Sequence, residues 1–350
     1  MMNQHSIPLM SMPMAEASPQ PSPQKFFETL TAYQGTAALK AAIDLDLFTA
    51  IGEGQTTVSA LANRVGGTER AVRMLSDSLV VLGFLVKAGN SYGLSPDSAM
   101  FLDMRSPAYV GSAKTFMTSD VVVEGFRDLA AIARSGRGHA DAIRAEDLKD
   151  FTWAEFARSM APMAYWTAQM AAKLIDHDAR IRVLDVAAGH GMFGIAVAKQ
   201  NPNAKIVALD WPVVLAVAEE NARRFAVNGR YKLLPGDAFQ IELGTGFDVV
   251  LIPNFMHLWD RATNVRFLKK VHAALAPQGR VIIVEFVPDE GRVTPPVPAL
   301  FALSMLANTA AGDVYTASEL RAMLKDAGFD ECQFRELAAS SHTAIVAFKP

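Results

Sequence analysis

Two periodicities divide the chain. From Lys25 to about Leu174, apolar residues recur at helical spacing, in FFETLTAYQGTAALKAAIDLDLFTAI and again in FTWAEFARSMAPMAYWTAQMAAKLI, and predict helices. From Arg182 onward the short β-rich runs RVLDVAA, KIVALD, YKLLPGD, FDVVLI and RVIIVEF alternate with helical stretches such as WPVVLAVAEENARRFAV and RATNVRFLKKVHAAL. That alternation predicts an α/β domain, a doubly wound and mostly parallel sheet with helices on both faces. Two last runs, ECQFREL and HTAIVAFK, are joined by a short polar turn and predict a closing antiparallel hairpin, which makes seven strands.

Within the helical half, TTVSALANRVGGTERAVRMLSDSLVVLGFL predicts a short helix, a turn at Gly66-Gly67, and a second helix with Val72, Leu75, Leu79 and Leu82 on one face. LVKAGNSYGLSP then offers two strand-like runs around Gly89-Asn90, the pattern of a small wing on an otherwise all-helical, winged-helix domain. Such a unit can read DNA, but its second helix sets Arg70 and Arg73 against Glu69 and Asp77, and phosphate binding needs a surplus of positive charge. An interaction role fits better. The amphipathic segment from Phe26 to Ile51 carries more apolar surface than one small domain can cover, so a homodimer through this domain is expected. The expected organisation is a disordered lead-in over 1–24, a winged-helix dimerisation domain over 25–110, linker and substrate-lining helices over 111–177, and a cofactor-binding catalytic domain over 178–350.

Composition narrows the setting. A chain of 350 residues, 51% hydrophobic and 20% charged, describes a packed globular protein. Its net charge of −3 gives no general attraction to nucleic acid or to an anionic membrane. The single cysteine, Cys332, excludes an intrachain disulfide and a thiolate cluster and fits a reducing interior, so a cytoplasmic location is expected. The first 24 residues hold five prolines and no Lys or Arg, unlike a signal peptide, and no run approaches the roughly eighteen apolar residues that span a bilayer.

The stretch VLDVAAGHGMFG turns from an apolar run into Gly189, Gly191 and Gly194, spaced G-x-G-x-x-G, with Asp210 closing the next apolar run. Alone, that is the dinucleotide fingerprint. Asp185, four residues before Gly189, argues otherwise. At an effective dielectric near 20, a carboxylate about 5 Å from a pyrophosphate would cost roughly 3 kcal/mol. It would favour a ligand that carries an ammonium and a sulfonium. Asp210 can take ribose hydroxyls, Asp237 in PGDAF is placed for an adenine amino group, and Ala187, Ala188 and Gly189 leave room. Any one of these acids could merely cap a turn. Three at successive strand ends predict a cationic adenosyl ligand, S-adenosylmethionine.

Several motifs in order, LDVAAGHG, LDWP at Asp210, GDAF at Asp237, NFMHLWD around His257, VEF at Glu285 and the terminal DAGF, now carry a resemblance. After about Lys25 the chain resembles the small-molecule O-methyltransferases with an N-terminal winged-helix dimerisation domain, the caffeate and hydroxyindole type with bacterial relatives in secondary metabolism. The resemblance implies that S-adenosylmethionine, leaving as S-adenosylhomocysteine, is held by Asp185, Ala187, Gly189, Gly191, Asp210, Trp211, Gly236, Asp237, Ala238, Phe239 and Asn254. It makes His257 the general base and Glu285 the carboxylate that orients it. Residue chemistry agrees: a phenol near pKa 10 keeps its proton at neutral pH while a typical imidazole is mostly free base, and His257 follows a strand that ends beside the glycine turn.

The chain departs from the plant-type pattern at two places. Where a second glutamate flanks the histidine there, GDVYT puts Val314, with Asp313 adjacent, and Pro253 stands where a lysine precedes it. A weaker base, a more acidic acceptor or a different reaction would follow. No His and carboxylate cluster at ligand spacing calls for a metal. Met160, Met163, Trp166, Phe255, Met256, Phe301 and Met305 are candidates for an apolar acceptor cavity. His272, on a helix, and His139, in a polar loop, read as surface residues. The expected activity is metal-independent methyl transfer to a phenolic or enolic oxygen. Carbon or nitrogen methylation, a cofactor-binding relative without methyl transfer, and a cofactor-sensing DNA-binding regulator remain as alternatives.

Overall fold

In the computed structural model, residues 20–136 and 153–350 are described. The lead-in before residue 20 and His139 lie outside them. The chain divides into two compact units at the Ser95–Pro96 junction.

In the first unit, helices form over Val58–Val65 and Glu69–Val81 because each starts on a threonine cap: Thr57 accepts from Ala60 N and Thr68 from Ala71 N, both at 3.3 Å. Gly66 ends the first of them in a left-handed conformation, φ 67°, that a side chain would resist. Strands β1 (Leu85–Ala88) and β2 (Ser91–Leu94) pair antiparallel with Ala88 opposite Ser91, so the predicted wing is a hairpin turning on Gly89-Asn90. Val72 and Leu79 are buried as expected, but Leu82 is the helix C-cap and is 44% exposed, where the helical repeat no longer carries it inward. Asp77 accepts from Arg73, Lys87 and Tyr92, which removes two cations from any phosphate-binding surface. The helix Gln24–Thr31 buries none of its residues, and Phe26, Phe27, Leu30 and the following Tyr33 are each more than half exposed.

The second unit is built on seven strands: β3 (Arg182–Val186), β4 (Lys205–Asp210), β5 (Tyr231–Pro235), β6 (Phe247–Pro253), β7 (Leu275–Glu285), β8 (Cys332–Glu336) and β9 (Thr343–Phe348). Their order is β5-β4-β3-β6-β7-β9-β8, with β9 antiparallel to both neighbours and the remaining pairings parallel. Alternate residues feed two cores. Val183, Ile206, Val249 and Ile282 pack beneath the helices Trp153–Ala172, Met192–Gln200 and Pro212–Arg224. Leu184, Val250, Ile252, Val281 and Ile283 pack beneath Arg261–Ala274 and Ala317–Asp326. Because both faces are covered, the central strands read as continuous apolar runs. The chain reverses its winding between β3 and β6, and the crevice at their carboxyl ends is where such a sheet takes a ligand.

The sequence reading drew its first boundary at 110, and the compact units part at Ser95–Pro96. Within the expected 111–177 segment, Ser112 Oγ donates to Ser159 O at 3.1 Å and Phe116 meets Phe156 edge-on at 4.6 Å. His272 is also not a surface residue: its ring stands edge-on to Phe329 at 5.1 Å, and burial lowers its pKa.

Candidate active site

Beyond β3 the backbone takes three left-handed residues, Ala187, Gly189 and Gly191, with φ of 50°, 58° and 77°. At Gly191 a side chain is excluded, since a Cβ would stand 2.7 Å from the Tyr231 hydroxyl. At Gly194 a Cβ would stand 2.8 Å from Asp185 Oδ2, and its absence lets Gly194 N donate to that oxygen at 2.8 Å. Asp185 is therefore buried beside the turn, where its Oδ2 ties down the start of the helix Met192–Gln200 and its Oδ1 has no hydrogen-bond partner among the described residues. Burial pushes its carboxyl up to about 7; the Gly194 hydrogen bond opposes this and the charge of Asp210 adds to it.

Asp210 and Asp237 face the crevice differently. Asp210 accepts from Gly189 N at 2.8 Å and from Trp211 N at 2.7 Å, one backbone donor per oxygen, so each oxygen keeps acceptor capacity for a ribose hydroxyl. Burial pushes its carboxyl up to about 6, against those two hydrogen bonds. Gly236 N donates to Asp210 O at 3.0 Å and Asp237 accepts from Phe239 N at 2.8 Å, which brings GDAF against the end of β4. Lys270, which sequence reasoning missed, holds the Ala238 and Phe239 carbonyls at 2.9 and 3.0 Å.

After β6, Asn254 turns left-handed at φ 52° and the chain enters a tight turn over Met256–Leu258. Glu285, at the end of β7, accepts from His257 Nδ1 at 2.7 Å, from Met256 N at 2.9 Å and from His257 N at 3.3 Å. Only 7% of His257 and 3% of Glu285 is exposed. Burial would raise the Glu285 carboxyl, but the His257 charge and hydrogen bond, the nearby His342 and the backbone donor hold it below the usual carboxylate range. An ionised Glu285 accepts a hydrogen bond from Nδ1–H, which keeps the proton on Nδ1 and leaves Nε2 as the basic nitrogen. From the next helix, Asn264 donates to Met256 O at 2.8 Å and Trp259 O at 3.1 Å, fixing both ends of the turn. Val314 is buried, and Asp313 lies 3.6 Å from Arg292, so one carboxylate serves the imidazole.

The candidate lining residues separate. Phe301 meets the His257 ring edge-on at 5.0 Å, with Met305 one turn later on its helix. Met160, Met163 and Trp166 share the helix Trp153–Ala172; Met163 and Trp166 are exposed, and Trp166 Nε1 donates to Ala338 O at 3.1 Å. Phe255 and Met256 go into the core, Phe255 among Phe239, Trp259 and Phe267, because the Asn254 turn sends them inward; they offer an acceptor little surface. Among the described residues no group of three or more His, Cys, Asp or Glu could hold a metal ion, and no helix is long and apolar enough to cross a membrane.

Residues 129–330 match the O-methyltransferase domain, and residues 27–104 match the O-methyltransferase dimerisation domain. The chain belongs to the O-methyltransferase family. It is accordingly an S-adenosylmethionine-dependent methyltransferase. It is 27% identical to the 3-hydroxy-5-methyl-1-naphthoate 3-O-methyltransferase of Streptomyces sahachiroi, over 93% of this chain and 94% of that protein. Acetylserotonin O-methyltransferase of Rattus norvegicus is also 27% identical, over 88% and 73% of the two chains. A crystal structure of a candidate O-methyltransferase from Nostoc punctiforme superposes with a TM-score of 0.89 at 44% identity, covering 95% of this chain and 100% of that one.

The buried Asp185 generates a stability prediction. Burial pushes its carboxyl up to about 7 in the folded state, against an ordinary carboxylate value of 3.8 in the unfolded chain, so between those values the folded state binds more protons and stability falls as pH rises. Asp185→Asn removes that dependence. Melting curves from pH 5 to 8 should show the parent protein losing ground steadily to the variant; parallel curves would contradict a neutral buried acid.

Proposed function

We propose that the protein methylates a phenolic or enolic oxygen of a small aromatic acceptor without a metal, with His257 as general base. The observation that carries this reading is the buried 2.7 Å hydrogen bond between His257 Nδ1 and Glu285, at the strand ends where this sheet takes its ligand. Bound S-adenosylmethionine supplies an electrophilic methyl on a sulfonium. The chain's own task is to bring a nucleophile to about 3 to 3.5 Å of that carbon and take its proton. His257 Nε2 accepts the hydroxyl proton, and Glu285 keeps the ring in the tautomer that can do so and stabilises the imidazolium that forms. Phe301, partly exposed beside the His257 ring, gives an apolar surface suited to a flat ring. The Streptomyces relative is named for a hydroxynaphthoate, which agrees with an aromatic hydroxyl as acceptor.

The cofactor reading rests on the residues of the turn. Positive φ at Ala187, Gly189 and Gly191 bares the backbone, and Asp210 and Asp237 stand at successive strand ends. Asp210→Ala should weaken S-adenosylhomocysteine binding by about 1.5 to 3 kcal/mol, the value of a charge-assisted bidentate bond. Calorimetry checks this, and an unchanged affinity removes Asp210 from the site.

For the base, His257→Ala should leave that affinity nearly intact and lower turnover by about 10² to 10⁴. Higher pH should partly restore the variant, because the acceptor then ionises unaided, and Glu285→Gln should lose less. Single-turnover rates against a phenol panel would decide: a His257→Ala enzyme at full speed at neutral pH refutes the assignment and favours an acceptor activated in another way.

The dimerisation domain and the exposed Phe26, Phe27 and Leu30 support a homodimer through the N-terminal unit. Light scattering should find a dimer, and Phe26→Asp with Leu30→Asp should shift it to monomer, since neither side chain is buried within its own chain. A monomeric parent protein, or a variant still fully dimeric, would contradict that surface.

A further inference from the structure

The site contains a second histidine that the reaction above does not use. His342 immediately precedes β9 and is partly buried, with its ring tilted by 35° against Phe286 at 4.1 Å, while Phe286 in turn meets Phe301 at 4.4 Å. Its Nε2 is 2.9 Å from Asn254 Oδ1 and its Nδ1 is 3.0 Å from Ser340 Oγ. Ser340 Oγ also receives His342 N at 3.2 Å and lies 3.0 Å from Thr167 Oγ1 on the helix Trp153–Ala172. Four residues from three distant parts of the chain thus form one line of hydrogen bonds ending at Asn254.

Donor counting gives that line a direction. Asn254 Oδ1 can only accept, so His342 Nε2 carries the proton and Nδ1 is bare in the neutral ring. Ser340 must then donate its hydroxyl to Nδ1, and Thr167 must donate to Ser340. Burial keeps the ring neutral, lowering its pKa to about 4, with the charge of His257 adding to this and Glu285 opposing it. With its oxygen engaged, the Asn254 amide has its NH2 group turned away from the imidazole, and Asn254 is only partly buried. Asn254 directly follows β6, the parallel neighbour of the strand that leads into the glycine turn.

We propose that His342 is a positioning residue for the cofactor: the chain Thr167–Ser340–His342–Asn254 fixes the Asn254 carboxamide so that its NH2 donates to the methionine carboxylate of S-adenosylmethionine. This rests on the reading of Asn254 as a cofactor contact. It makes the C-terminal hairpin, far from the glycine turn in sequence, part of the cofactor site.

Two measurements test it on the full chain. Calorimetry with S-adenosylhomocysteine is run on Asn254→Gly, which suits the left-handed backbone, on His342→Phe, which keeps a ring against Phe286, on His342→Asn, which is too short to reach Asn254, and on His342→Gln, which can present an amide nitrogen near Nε2. Losing one charge-assisted hydrogen bond implies affinity about tenfold weaker for Asn254→Gly, His342→Phe and His342→Asn. His342→Gln should recover most of it, and the His342→Phe, Asn254→Gly double variant should be no weaker than Asn254→Gly alone. An unchanged Asn254→Gly overturns the cofactor contact itself. A weakened Asn254→Gly beside unchanged His342→Phe and His342→Asn, or losses that multiply in the double variant, overturns only the role of His342. Nitrogen NMR of histidine-labelled protein, with the His342→Gln spectrum as assignment, should show a neutral Nε2–H ring from pH 5 to 8. A protonated ring, or the Nδ1–H tautomer, also overturns the proposal.

Discussion

A single buried carboxylate holds the reaction end of this molecule together. Glu285 accepts three N–H groups, two from the backbone of the turn after β6 and one from the imidazole of His257. An ionised carboxylate stripped of such donors in a dry interior costs several kcal/mol, so the turn cannot swing away without orphaning a charge. The sheet supplies the other half of the constraint. Pro253 is in register with Val284, which sets the start of the turn beside the end of β7. Asn264 then fixes the turn from the following helix. His257 is therefore placed by the architecture of two adjacent parallel strands, and its tautomer follows from the same carboxylate.

What was legible in the sequence was whatever a short window encodes. The apolar runs specified the strands, the closing ECQFREL and HTAIVAFK hairpin included, and position at a strand's carboxyl end marked Asp210, Asp237, His257 and Glu285 as site candidates. What stayed hidden depends on side-chain direction or distant contact. Asp185 has the spacing of a ligand residue, yet the lack of a Cβ at Gly194 draws one of its oxygens to the start of the helix. Phe255 and Met256 flank His257 in sequence but follow a left-handed residue into the core. His342 meets Asn254 across 88 residues, and no local spacing could pair them.

The two cores also account for how the glycine turn keeps its shape. The helix Met192–Gln200 is buried along most of its length and begins at Gly191, in van der Waals contact with Ala218 and Tyr231. Positive φ at three of five consecutive residues is unfavourable unless the surroundings hold it. Here the Gly194 N–H on Asp185 and the Gly189 N–H on Asp210 anchor the turn from below and from beside. The acids that a ligand-centred reading assigns to the cofactor thus first of all shape the backbone. Asp210 retains lone pairs for a second partner, and Asp185 gives one oxygen to the helix while the other has no partner among the described residues.

The replacement of a flanking glutamate by Val314 has a chemical consequence under the proposed reaction. Val314 is buried, and Asp313 turns to Arg292, so the imidazolium that forms on proton transfer is stabilised by Glu285 alone. With one carboxylate in place of two, an imidazolium at this position has less electrostatic support. Proton transfer from the acceptor is then easiest for a more acidic hydroxyl, since the driving force depends on the difference between donor and acceptor. An electron-withdrawing carbonyl or carboxyl group on the ring lowers the pKa of its hydroxyl in the required direction, and a flat aromatic body would fit against Phe301. Under the proposed reaction, the missing second carboxylate and the aromatic ring of Phe301 would favour the same kind of acceptor, an acidic phenol rather than an alkyl alcohol.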